Sequence, residues 1–112
     1  MKRHPSRGEI WLVDLNPIRG REQAGRRPAL VLSVDKFNHG PADLVVALPM
    51  TTKDKRIVSH IRVEPPAMKK VGFIKCEDVR SLSKDRFEQQ LGTVDSKTMA
   101  EVEYAVCALL GL

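Results

Sequence analysis

The sequence predicts a mainly β, α+β fold: a small antiparallel β-barrel with one amphipathic helix at its C-terminus. Three observations carry that expectation. Short apolar runs rich in Val, Leu and Ile recur along most of the chain, each bounded by Gly, Pro, Asn or Asp, as strands and turns require. The apolar period changes once, at Asp95, from strand-like to helical. At 112 residues the chain has room for one domain, 1–112, which would bury roughly two thirds of its unfolded surface and so fold without staples.

Taken in order, Glu9 to Leu15, Pro28 to Asp35 and Asp43 to Met50 read as strands. Weaker strand candidates follow at His60 to Glu64, at Gly72 to Cys76 running on toward Leu82, and at Gln90 to Val94. Pro65 to Lys70 reads as a surface loop. From Asp95 onward Met99, Val102, Val106 and Leu109/Leu110 share one helical face, with Asp95 or Ser96 able to cap the start and Gly111 to end it. Compact spacing of strands and turns suggests a barrel, against which the helix closes the chain.

Composition excludes several classes. Cys76 and Cys107 lie far apart, with no Cys-x-x-Cys or Cys/His spacing, so neither a disulfide framework nor a zinc site is supported. Three dispersed histidines argue against a metal centre, and no cofactor is expected. No apolar run approaches the ~20 residues of a membrane span, and the first residues lack the hydrophobic segment of a signal peptide. A cytoplasmic protein with free thiols and no membrane contact is the expectation. Nineteen Lys/Arg against fourteen Asp/Glu give a net charge of +5, which suits an acidic partner, nucleic acid or protein.

The most informative segment is Gly20-Arg21-Glu22-Gln23-Ala24-Gly25-Arg26-Arg27-Pro28, between the first two strands. It is too polar for a core and reads as an exposed connection built to meet an anion. Together with Arg7-Gly8-Glu9-Ile10-Trp11-Leu12-Val13-Asp14-Leu15-Asn16-Pro17, Arg27-Pro28-Ala29-Leu30-Val31-Leu32-Ser33 and Leu48-Pro49-Met50-Thr51-Thr52, it resembles the MazF/PemK/Kid family of toxin endoribonucleases over nearly the whole chain. That resemblance implies the small SH3-like barrel of the CcdB/PemK type with a terminal helix. It also implies a sequence-selective, metal-independent ribonuclease acting on single-stranded RNA, working as a homodimer and silenced by a cognate MazE/PemI-like antitoxin.

Metal-free RNA cleavage uses the substrate's own 2′-hydroxyl as nucleophile, so the protein must supply a base, charge for the phosphorane, and a proton for the leaving 5′-oxygen. Arg27 stands where the connection meets a strand, with Pro28 fixing the backbone, so its guanidinium can grip a phosphate. Thr51, at the end of the third strand, can bring a hydroxyl to the same phosphate. Both match catalytic positions of the family. Glu22 can act as base, orient Arg27, or neutralise Arg21 and Arg26. Gln23, Arg26 and Thr52, with Arg21 and Lys53, fit contacts to phosphate or base.

Structural readings stand beside these. Asp14 reads as a turn or capping carboxylate, although the resemblance places its counterpart near the site. His60 can titrate near neutrality but fits a structural strand histidine, and His4 and His39 read as solvated. Trp11 and Phe73 can stack on bases, yet at strand positions they read as core. Two other functions are compatible with the fold: a CcdB-like toxin that binds DNA gyrase without cleaving, and a noncatalytic RNA-binding module. The combination of Glu22-Gln23, Gly25, Arg27-Pro28 and Thr51 favours the nuclease.

Overall fold

In the computed structural model, which describes residues 4–16 and 25–112, the apolar runs become strands whose two faces are both buried. The elements are β1 (Glu9–Asp14), β2 (Arg26–Val31), α1 (Asp35–Asn38), β3 (Leu44–Thr51), β4 (His60–Val63), β5 (Gly72–Lys75), β6 (Arg80–Ser83), β7 (Phe87–Thr93) and α2 (Ser96–Leu110). A 3-10 turn, Lys84–Arg86, precedes β7. Alternation along the strands sorts the apolar side chains into two cores. Ile10, Leu30, Leu48, Met50 and Ile74 form one, joined by Val102 and Val106 from α2. Trp11, Val13, Ala29, Val31, Val45 and Ala47 form the other, completed by Leu82 and Phe87. Burial on both faces is why these strands read as unbroken apolar runs.

The sheet is antiparallel, in the order β4-β5-β3-β2-β1-β7, with β6 also on β3. Among the described residues its end strands, β4 and β7, do not pair, so the expected barrel is a rolled, open sheet. β3 shows the reason. One edge of it pairs with β6 over Leu44–Ala47 and with β5 over Met50 and Thr51. The β4–β5 ribbon thus leaves the sheet away from β6 and does not reach β7.

Two expected strands change shape. The second ends at Val31, because the Ser33 hydroxyl takes over the ladder: Val46 N–H donates to Ser33 Oγ at 2.9 Å. Fully buried Asn38, whose Nδ2 donates to Ser33 O at 2.8 Å, then anchors α1. The run from Gly72 to Leu82 divides at a turn closed by Asp78 N–H to Lys75 O, 3.0 Å, which separates β5 from β6. The C-terminal helix forms as expected: Asp95 accepts from Thr98 N–H at 2.8 Å, and Gly111 ends it at φ +71°. Its buried stripe stops at Val106, leaving Leu109 and Leu110 exposed.

Gly92 marks a close backbone approach. It follows a register shift between Ile10 and Trp11, and a Cβ there would lie 1.8 Å from the carbonyl oxygen of Ala67. Gly92→Ala is therefore expected to destabilise by about 1–3 kcal/mol, the usual cost of overpacking. Denaturant unfolding measures it, and wild-type stability would show that the backbone gives way freely.

Candidate active site

Antiparallel pairing puts the start of β2 and the end of β3 at one margin of the sheet. The ladder ends at the pair Ala29 and Pro49, and Arg27 stands two residues before Ala29 and Thr51 two residues after Pro49, both just past that end. On its other side Arg27 pairs with Val13, and Thr51 pairs with Phe73. Arg27 is exposed and Thr51 half-buried. The Thr51 hydroxyl oxygen accepts from Lys53 N–H at 3.2 Å, a turn that fixes its direction and leaves its own proton to donate. Thr52, Lys53, Lys55 and Arg56 follow, all exposed, and give the margin its positive rim.

Arg26 points the other way. Its neighbour Arg27 shares the face of Ala29 and Val31, whereas Arg26 shares that of Leu30, and its Nε donates to Glu88 Oε1 at 2.7 Å. Its hydrogen bond to Glu88, the charge of Glu88 and that of Asp14 raise its pKa above the ordinary value. Asp14 Oδ1 accepts from Asn16 N–H at 2.9 Å, as a turn carboxylate does. Arg21, Glu22 and Gln23 lie outside the described residues.

The aromatic and histidine readings resolve toward structure. Trp11 is buried against Phe87, ring centroids 6.2 Å apart, with Nε1 donating to Glu9 at 2.9 Å. Phe73 is also buried. The His60 side chain is only 3% exposed, and its Nε2 lies 2.7 Å from Glu77 Oε2, while Ser59 Oγ donates to Glu77 Oε1 at 2.7 Å. Burial pushes Cys76 up to about 11, which makes it an inert thiol. Among the described residues no group of three or more His, Cys, Asp or Glu is placed to hold a metal ion. No helix among them is long and apolar enough to cross a membrane.

Glu77 carries a pH signature. Burial pushes its carboxyl up, but hydrogen bonds from Ser59 and His60 outweigh this and hold it below its ordinary 4.5. A lowered pKa adds stability that is present above 4.5 and lost as pH falls through the folded-state value. Glu77→Gln is expected to flatten the acid limb of the stability curve, measured by unfolding between pH 3 and 6. An unchanged limb would rule Glu77 out as its source.

Sequence reasoning missed Glu77, Arg86 and Glu88. The partners of the last two are 72 and 62 residues away in sequence, so no local pattern announces them.

Comparison with known proteins agrees with this fold. A family model described as a PemK-like, MazF-like toxin of type II toxin–antitoxin systems matches residues 6–110. The Endoribonuclease MazF of Staphylococcus saprophyticus is 34% identical over 109 residues, covering 95% of this chain and 91% of that protein. The crystal structure of MazF from Deinococcus radiodurans superposes with a TM-score of 0.89 at 31% identity, covering 99% of this chain and 100% of the other. A MazE–MazF structure from the same organism gives 0.85 at 30% identity, covering 99% of each. This chain therefore belongs to the PemK-like, MazF-like toxin family of type II toxin–antitoxin systems.

Proposed function

We propose that this toxin is an endoribonuclease that cuts single-stranded RNA at a short recognition word, without a metal, using the substrate's 2′-hydroxyl as nucleophile. The observation that supports the reading is that Arg27 and Thr51 both stand just past one end of the β2–β3 ladder, at a basic margin, in a chain whose relative is an endoribonuclease. Arg27 stabilises the charge that develops on the phosphorane, since a guanidinium stays protonated and offers paired donors. Thr51 donates its hydroxyl to a non-bridging oxygen. Glu22, in the connection that leads to Arg27, takes the 2′-hydroxyl proton as the 2′-oxygen bonds to phosphorus, and the 5′-oxygen leaves as its bond to phosphorus breaks, taking a proton from solvent water. Thr52, Lys53 and the residues Arg21 and Gln23 hold flanking phosphates and bases, and unstacked base edges supply specificity.

The protein works in the cytoplasm as a homodimer, and a cognate MazE-like antitoxin holds it silent. Solved complexes of the related Deinococcus and mycobacterial toxins with their antitoxins support such a partner. An acidic antitoxin segment suits the same basic margin and would compete with RNA there.

The test incubates the purified protein with a long single-stranded RNA and with DNA of the same sequence. Fragmentation of the RNA at a recurring word, with the DNA left whole, is the expected result. RNA that is bound but uncut would make this a binding module instead.

A further inference from the structure

The margin that carries Arg27 is gripped from β7 and the turn before it by two groups that the chemistry above does not use. The chain leaves β1 through Leu15 and Asn16 and re-enters at Gly25, and these residues form a stem. Leu15 N–H donates to Gly25 O at 3.0 Å, and Gly25 N–H donates to Asn16 Oδ1 at 3.2 Å. Gly25 has φ +73°, a conformation natural to glycine. Onto the outgoing limb comes Arg86, whose Nη1 donates to the carbonyl of Asp14 at 2.9 Å and also to that of Asn16. Onto the returning limb comes Glu88, which accepts from Arg26 Nε at 2.7 Å. Arg26 immediately precedes Arg27 in the strand, so fixing one side chain to one face commits the next to the other.

We propose that Arg86 and Glu88 are positioning residues: a clamp on both limbs of the stem that sets where the Arg27 guanidinium stands. The inference rests on the reading of Arg27 as the group that meets the scissile phosphate, and deepens it. Arg26 becomes an arm of this clamp, in place of the RNA contact expected from sequence. Exposure supports a positioning role over a stabilising one. The Arg26 and Glu88 side chains are 59% and 30% exposed, and ion pairs so open to solvent contribute little to global stability. Backbone carbonyls held at two points by one guanidinium, by contrast, fix strand geometry locally. Misplacing a catalytic group by about 1 Å lowers the rate by roughly a hundredfold.

A charge swap tests the clamp. Glu88→Arg and Arg26→Glu are each expected to lower kcat for a fixed short RNA by roughly 10- to 100-fold with KM little changed, and their combination to restore it to within a few-fold. Arg86→Ala should fall similarly and Arg86→Lys recover part of the loss. Melting temperatures confirm that each variant is folded, and Glu88→Gln, which keeps the side chain's shape, provides the same comparison if Glu88→Arg is not. A double variant no better than the singles, or Glu88→Gln with unchanged kcat, overturns the clamp. Arg27→Ala assayed alongside separates the two claims. If it cleaves like wild type, the role of Arg27 fails and the clamp with it; if it is inactive while the swap gives no rescue, the clamp alone is wrong.

Discussion

Arg27→Ala is expected to lower kcat/KM for RNA cleavage by roughly a thousandfold while leaving the fold intact. The magnitude follows from removing charged donors aimed at the developing phosphorane, where a single lost donor in comparable sites lowers kcat by about 10²–10³. The fold survives because the Arg27 side chain is exposed and its strand pairing with Val13 is made by the backbone. Thr51→Ala should fall less, since one neutral hydroxyl is lost. If the two groups serve one phosphate, the double variant will be far less impaired than the product of the single losses. Kinetics on one short RNA measure all three. Losses that multiply would mean that Arg27 and Thr51 act apart.

Phe87→Ala should have the largest effect on stability, about 3–5 kcal/mol. Phe87 is fully buried, packs edge-on to Trp11, and pairs with Val13, the residue that pairs on its other strand with Arg27. A domain's whole margin is about 5–15 kcal/mol, so this one truncation removes much of it. The sheet beneath the margin that carries Arg27 should loosen as well. Urea unfolding checks the prediction, and a loss below about 1 kcal/mol would show that the second core repacks around the gap.

Much of the fold is legible in the sequence. β1 and β3 were readable from their β-branched runs, and α2 from its apolar period, its Asp95 cap and Gly111. Those signals are local, and local signals survive folding. The breaks were harder. Ser33 ends β2 by offering its hydroxyl to Val46, and Asn38 anchors α1 from inside, both through contacts that a linear pattern does not show. The open sheet follows from how β3 divides its edge between β5 and β6, a matter of long-range register. At the candidate site, the strand-end positions of Arg27 and Thr51 are legible because turn residues bound the apolar runs beside them. The ion pair of Arg26 with Glu88 is not legible in sequence, because Glu88 comes from a distant strand. His60 fits its structural reading, although the Glu77 that holds it was not foreseen.

The most direct measurement incubates wild type and Arg27→Ala with a long single-stranded RNA in excess EDTA and maps every fragment end. Cleavage by wild type at one recurring word, leaving 5′-hydroxyl ends and lost in the variant, is what attack by the 2′-hydroxyl at this site predicts. Cleavage that stops in EDTA, or that persists undiminished in Arg27→Ala, would contradict it.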